Sequence, residues 1–220
     1  MRTSPTPARQ GLAQALTPRT WVMALVMLLG VIALAAPLLA AEPPTAQRAL
    51  DKAEQLEQRV VDNTRASPAP PALRVTPEGA RAVDPRGQAP LDDALTCLAR
   101  SIYWEAKGAG VVEMEAVANV VMNRLGNPAF PPTLCGVVQQ GSETGSCQFS
   151  WWCDGRPDEA REPLEYAAAR EIARRALNGT LKDRTHGAVF FHQRSITPSW
   201  ASHMVKTVQT REFDFYRLPG

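Results

Sequence analysis

One carboxylate, Glu105, stands out in this 220-residue chain as a group that could do acid chemistry. At about 100° per residue it lies within about 20° of Leu98, on the edge of an apolar helical face that also includes Leu95 and Ile102. The glycines that follow, beginning at Gly108, predict that the helix ends soon after Glu105. The spacing therefore predicts a half-buried glutamate in the last turn of a helix.

Two physical effects should raise the pKa of such a glutamate. Partial burial disfavours the charged carboxylate, and the negative end of the helix dipole repels it. A carboxyl group that is still protonated near neutral pH suits general acid catalysis, for example in the cleavage of a glycoside. The alternative from helix geometry alone is a glutamate that faces solvent beside Lys107.

A second carboxylate is harder to find. A glycosidase that uses two acids needs them roughly 5 to 9.5 Å apart. Glu143 and Asp154 are candidates, but both lie in stretches typical of turns, where a structural role is common. A mechanism with a single acid is therefore the more plausible one.

The segment 141–155, GSETGSCQFSWWCDG, combines small residues, amides and aromatic rings. Such a composition suits a cleft wall on which sugar rings stack while polar groups bind their hydroxyls. Gln148 and Ser150 alternate with Phe149 and Trp151, so in an extended strand one pair would face the substrate and the other the core. The alternative is that the aromatic side chains only fill the core. We expect these substrate-binding residues: Tyr103, Gln148, Ser150, Trp151 and Asp154.

The chain has four cysteines, at positions 97, 135, 147 and 153. If the chain is exported, two disulfides are the first expectation, with the connectivity open. A zinc site formed by Cys147, Cys153 and one histidine is the rival interpretation, although the spacing is unusual for zinc. The candidate histidines are His186, His192 and His203. No metal or organic cofactor is otherwise implied.

The elements that must position these groups can be predicted in outline. A largely apolar helix over 111–125 should be central, and Asn119 and Asn123 should be satisfied amides at its edge. A further helix should begin at Pro163 and end near Asn178. Strand-like pieces follow at 188–191, 205–209 and 213–216, which makes the domain α+β.

The first 90 residues have a different composition. Residues 1–41 combine a basic start with an uncharged run over 21–41, and predict a signal peptide or an N-terminal membrane anchor. Residues 42–90 are rich in proline and alanine and indicate a linker, with a short helix through Ala49, Ala53 and Leu56 that we expect to be solvated or transient. Residues 91–220 are then the catalytic domain, placed in the periplasm or cell envelope.

Several blocks in the same order resemble the SleB-type family of cell wall hydrolases, from about residue 95 to residue 217. The blocks are YWEAKG at 103–108, VANVVMNR at 117–124, FPPTLCGVVQQG at 130–141, CQFSWWCDG at 147–155, GAVFFH at 187–192 and FYR at 215–217. The resemblance implies that Glu105 is the catalytic acid. It also implies a mainly helical, lysozyme or lytic-transglycosylase-like domain with a small antiparallel β region.

The sequence departs from the family pattern at two positions of the first block. Lys107 stands where arginine is usual, and Ala109 stands where a second glutamate is frequent. Near the C-terminus, Arg211 and Phe213 replace the usual G-x-H, so no role is carried over there. The loss of a nearby acid at Ala109 again favours a single-acid mechanism.

We therefore expect a lytic transglycosylase or muramidase that cleaves the glycan strands of peptidoglycan. The alternatives are a non-catalytic module that binds the wall, and a wall amidase or endopeptidase. We expect a monomeric catalytic domain with no nucleic-acid partner and with membrane contact only through the N-terminal segment.

Overall fold

Helices form most of the architecture in this computed structural model, which describes residues 44–64 and 68–220. The described α-helices are α1 (Thr45–Val61), α2 (Pro77–Ala82), α3 (Ala94–Ala106), α4 (Val111–Leu125), α5 (Leu134–Gln139) and α6 (Pro163–Leu177). Short 3₁₀ turns lie at Pro71–Leu73, Ser142–Thr144, Ser150–Trp152 and Ser199–His203. The described strands are β1 (Phe190–Gln193), β2 (Val205–Gln209) and β3 (Phe213–Arg217).

Helix α3 lies at the centre, in contact with α1, α4, α5 and α6. The Asp93 side chain accepts a hydrogen bond from the backbone N–H of Thr96 at 2.8 Å, and this cap fixes where the helix begins. Leu98 and Ile102 are fully buried, as the apolar periodicity predicts. Arg100, which the same periodicity directs away from the core, is also buried, because helices pack on α3 from several sides.

The sheet is small, antiparallel and ordered β1-β3-β2. Phe191 of β1 pairs with Phe215 of β3, and Val205 of β2 pairs with Arg217. The ladder between β2 and β3 is irregular between Lys206 and Val208. The expected α+β class, mainly helical with a small antiparallel β region, is confirmed.

The segment that precedes α3 does not behave as a solvated linker. In α1 the side chains of Ala49, Ala53, Leu56 and Val60 are all buried, and the helix contacts α2, α3, α4 and α6. Glu57 accepts a hydrogen bond from the backbone N–H of Leu134 at the start of α5. The expectation of a solvated or transient helix was therefore wrong: small alanine side chains allow α1 to approach its neighbours closely, and burial replaces the weak intrinsic stability of a short helix.

Residues 68–90 also pack on the domain. The backbone N–H of Ala69 donates to the carbonyl of Asn178 at 2.9 Å, and the Asn178 side chain both accepts from the N–H of Val75 and donates to its carbonyl. Asn178, predicted as a helix end, thus also joins the end of α6 to the segment before α2. The proline-rich composition of this stretch reflects turns in contact with the core and not a flexible spacer.

Two disulfides are present, as expected for the four cysteines. Cys97 in α3 pairs with Cys135 in α5, with Cα atoms 5.2 Å apart. Cys147 pairs with Cys153, with Cα atoms 6.1 Å apart. The zinc interpretation is wrong for Cys147 and Cys153, because both thiols are consumed in one bridge.

The predicted signal peptide or membrane anchor at 1–41 lies outside the described residues. Within 44–64 and 68–220, no helix combines the length and the apolar character needed to cross a bilayer.

Candidate active site

A cleft of about 670 Å³ lies where α3, α4, the 141–155 loop and the sheet meet. Its lining combines one acid, one arginine, two amides, one hydroxyl and a group of aromatic rings. The lining residues are Glu105, Arg124, Cys147, Gln148, Ser150, Phe190, Phe191, His192, Gln193, Ile196, Pro198, Trp200, Met204 and Phe213. The cleft therefore has the mixed polar and aromatic character of a small-molecule or glycan site.

Glu105 projects into this cleft from the last turn of α3. Burial among apolar groups raises the pKa of its carboxyl from 4.5 to about 7, and the positive charge of Arg124 opposes this rise. The raised pKa that the sequence predicts is confirmed, with burial as its main cause. A substantial fraction of Glu105 is consequently protonated near neutral pH, which a general acid requires.

Arg124 reaches the same cleft from the last turn of α4. Its Nε donates to the carbonyl oxygen of Val189 at 2.7 Å, and its Nη2 donates to Oε1 of Gln148 at 3.4 Å. Burial lowers the pKa of its guanidinium to about 10, while the charge of Glu105 acts in the opposite direction. At neutral pH Arg124 is therefore a cation beside the proposed acid.

The 141–155 loop forms one wall of the cleft, as predicted. Gln148 and Ser150 line the cleft, while Phe149 and Trp151 are buried. The predicted alternation is correct although the segment is not a strand, because Phe149 is extended and Ser150–Trp152 form a 3₁₀ turn. The loop folds back on itself at Gly141, which has a φ of 90° and no room for a side chain beside the Ser146 carbonyl.

Three of the residues predicted to bind substrate do not line the cleft. Tyr103 is fully buried, and its hydroxyl accepts hydrogen bonds from the backbone N–H groups of residues 161 and 162. The ring of Trp151 stacks on that of Trp104, with the ring centroids 6.3 Å apart. Asp154 is exposed and accepts from the backbone N–H of Arg156 in a local turn. The structure thus places these three side chains outside the lining of the cleft.

The candidates for a second acid are also placed elsewhere. Glu143 is exposed in the 3₁₀ turn Ser142–Thr144, and neither it nor Asp154 lines the cleft. Among the described residues that do line it, Glu105 is the only carboxylate.

The aromatic side of the cleft was missed by sequence reasoning. Phe190 and His192 come from β1, and Trp200 comes from the connection between β1 and β2. Nδ1 of His192 lies 2.9 Å from the carbonyl oxygen of Gln193 and donates to it, and Nε2 lies 3.0 Å from the hydroxyl oxygen of Tyr216. The GAVFFH block contains two of these positions, but only the tertiary structure shows that they line the same cleft as Glu105.

Comparison with known proteins gives three matches. Residues 108–216 match the family model described as Cell Wall Hydrolase, beginning three residues after Glu105. A spore cortex-lytic enzyme of Halalkalibacterium halodurans is 32% identical over 114 residues, which are 50% of this chain and 30% of that protein. The chain thus spans less than a third of the length of this curated relative. The crystal structure of the catalytic domain of the Bacillus cereus SleB protein superposes with a TM-score of 0.46 at 22% identity, covering 56% of this chain and 89% of that one.

Proposed function

We propose that this chain, a member of the Cell Wall Hydrolase family by the match over residues 108–216, cleaves the glycan strands of peptidoglycan with Glu105 as the general acid. The family match confirms the resemblance carried by the sequence blocks. The bond cleaved and the role of Glu105 are our proposal, supported by the chemistry of the cleft.

The observation that carries the proposal is the state of Glu105. Its carboxyl group lines the cleft with a pKa of about 7, so near neutral pH it can donate a proton to the oxygen of a glycosidic bond. The main difficulty in glycoside cleavage is that an alkoxide is a poor leaving group. Protonation of the glycosidic oxygen lets the group leave as an alcohol. An amidase or endopeptidase would need a metal or an activated nucleophile, and the lining residues suggest neither.

The rest of the cleft suits an amino-sugar strand. Phe190 and Trp200 offer flat apolar faces to sugar rings, and Gln148 and Gln193 offer amide groups that can both donate and accept. A volume of about 670 Å³ lies in the range of sites that hold a few linked rings. These features also favour catalysis over the alternative of a non-catalytic wall-binding module, since that module would not need a buried acid.

The absence of a second carboxylate from the described lining favours intramolecular attack over attack by an activated water. Glu105 gives its proton to the glycosidic oxygen and the C1–O bond breaks. The C6 hydroxyl oxygen of the same sugar then bonds to C1, and its proton returns to the Glu105 carboxylate. The product is a 1,6-anhydro sugar, as a lytic transglycosylase would form.

The first test is the substitution Glu105→Gln, assayed by the release of soluble fragments from purified peptidoglycan. The amide keeps the shape of the side chain and removes the transferable proton, so we expect the rate to fall by about 10²- to 10⁴-fold with the fold retained. Glu143→Gln is the matched control, because it makes the same change at an exposed site outside the cleft lining and should retain the wild-type rate. Retained lysis by a folded Glu105→Gln protein would reject the assignment.

The second test is mass spectrometry of the released fragments. An anhydro end is one water lighter than a reducing end, so intramolecular attack predicts fragments that all carry this mass difference. Only reducing ends would show that water attacks and that another group activates it. Cleavage at amide bonds would instead reject the glycosidase class.

We further propose that the domain works outside the cytoplasm. The uncharged run over 21–41 and the two disulfides both support an exported protein. Such a location would bring the cleft to the wall.

A further inference from the structure

Arg124 is a buried cation without a carboxylate partner among the described residues. Its side chain is 3% exposed, and neither of its two hydrogen-bond acceptors carries a formal charge. Nη1 is buried and has no hydrogen-bond partner among the described groups. Buried guanidinium groups are normally paired with acids, because an unpaired charge loses its hydration without compensation.

The surroundings hold this cation in one place. Its guanidinium carbon lies over three aromatic rings, 5.3 Å from Phe130, 5.2 Å from Phe149 and 5.5 Å from Phe190. The negative faces of these rings offset part of the desolvation cost. The hydrogen bond from Nε to the carbonyl of Val189 fixes the rotation of the group. A positioned charge with one unused donor is therefore built into the cleft wall.

Glu105 is the acid that shares the cleft with this free donor. Other charged or titratable groups near Glu105 are already engaged. Lys107, on the same helix end, lies over the rings of Tyr103 and Trp104 and pairs with Glu162 at 3.3 Å. His192, on β1, has both ring nitrogens in hydrogen bonds.

We propose that Arg124 is a positioning residue that receives the Glu105 carboxylate after proton donation, through a hydrogen bond from Nη1. This role rests on the proposed function. While Glu105 is protonated, it needs no cation, and Nη1 is free. When the Glu105 O–H bond breaks and the proton moves to the glycosidic oxygen, the carboxylate gains a negative charge and Nη1 donates to it. When the proton returns from the attacking hydroxyl, the hydrogen bond is released.

The test is an NMR titration of the full chain labelled with ¹³C in the glutamate carboxyl groups and ¹⁵N in the arginine guanidinium groups. Arg124→Met keeps an unbranched apolar stem for the three rings and removes the charge. We expect the titration midpoint of Glu105 to rise by about one unit or more in this variant, because an opposite charge at close range shifts a carboxyl pKa by that amount. Arg124→Lys keeps the charge and should give a smaller rise.

Arg184→Gln is the matched control for the loss of one positive charge. Arg184 pairs with Glu115 outside the cleft, so its removal should leave the Glu105 midpoint unchanged. In the wild type, the Nη signals of Arg124 should move with the same midpoint as Glu105. This movement should disappear in Glu105→Gln.

The outcomes separate this inference from the proposed function. An unchanged Glu105 midpoint in a folded Arg124→Met protein overturns the role of Arg124, whether or not the enzyme cleaves peptidoglycan. If the Met variant does not fold, static Arg124 signals across the wild-type titration of Glu105 overturn it equally. A coupled titration in a protein that does not cleave glycan would instead retain the ion pair and reject the proposed function.

Discussion

Helix α3 carries a buried arginine, Arg100, and a half-buried glutamate, Glu105, whose surroundings are opposite in kind. Arg100 donates from Nε and Nη2 to the carboxylate of Asp84, at 3.1 and 2.9 Å, and also to the carbonyl of Asp158. The same carboxylate accepts from the hydroxyl of Tyr166 at 2.6 Å. We call Asp84, Arg100 and Tyr166 the paired cluster. Glu105 and Arg124 share a cleft, but no hydrogen bond joins them among the described contacts.

The two sites shift the pKa of their acids in opposite directions. Burial alone would raise the pKa of Asp84, but hydrogen bonds from Tyr166, a backbone N–H and Arg100 lower it below its usual range. Burial without such donors leaves the pKa of Glu105 at about 7. A buried acid with full hydrogen bonding is a fixed anion that holds elements together, whereas a buried acid with few partners can exchange a proton. Hydrogen bonding and ion pairing of the carboxylate therefore distinguish a fixed anion from an acid that can exchange a proton.

The largest expected effect on stability comes from breaking the paired cluster. Asp84→Ala leaves Arg100 buried without its anion, so we expect the free energy of unfolding to fall by about 3 to 5 kcal/mol. Urea denaturation followed by circular dichroism measures this change. Glu105→Gln is the comparison, and at about pH 5, where Glu105 is protonated and neutral like the amide, its free energy of unfolding should stay close to that of the wild type. Equal losses in the two variants would contradict the distinction between the sites.

The pH dependence of stability should have opposite signs at the two sites. Between pH 4.5 and about 7 the folded state holds the Glu105 proton and the unfolded state has released it, so stability falls as the pH rises through this window. The slope contributed by Glu105 is at most about 1.4 kcal/mol per pH unit. Asp84 has a lowered pKa, so its contribution is present above its ordinary pKa of 3.8 and is lost as the pH falls through its folded value.

Denaturation midpoints measured from pH 3 to pH 8 check both signs. Glu105→Gln should remove the loss of stability between about pH 5 and 7 and leave the loss at low pH unchanged. The rate of peptidoglycan cleavage by the wild type should also fall as the pH rises through about 7, because the acid form of Glu105 disappears. A Glu105→Gln protein with the wild-type slope between pH 5 and 7 would show that another group titrates there.

The sequence predicts one of these sites far better than the other. Glu105 could be found because its position depends on helix periodicity and on a nearby helix end, both of which are local. Arg100 lies off the apolar stripe that the same periodicity defines, and one helix gives no sign that others will pack against it on that side. Its partner Asp84 lies 16 residues earlier, in a segment predicted as a linker. Pairing across elements depends on tertiary packing that the local pattern does not contain.

The residues of the cleft divide in the same way, into those that a local pattern predicts and those that depend on tertiary packing. Gln148 and Ser150 were predicted because alternation along one loop separates core from cleft, and this holds even in a 3₁₀ turn. Tyr103 was also expected to bind substrate, but it lies two residues before Glu105 and therefore points about 200° away from it around the helix axis. Arg124 and Trp200 could not be placed at all, because they reach Glu105 from elements far away in the chain.

The smallest predicted effect tests whether the paired cluster is redundant. Tyr166→Phe removes one of the donors to Asp84, while Arg100 and the backbone N–H groups of residues 88 and 89 remain. A hydrogen bond to a charged group contributes about 1.5 to 3 kcal/mol, so the variant should lose less stability than Asp84→Ala. The rate of peptidoglycan cleavage per folded molecule should be unchanged, because Tyr166 does not line the cleft. If Tyr166→Phe were as destabilising as Asp84→Ala, the hydroxyl and not the ion pair would hold Asp84 in its charged form. If it altered the cleavage rate at constant folded fraction, the two sites on α3 would be coupled, and the division into a structural charge and a reactive one would fail.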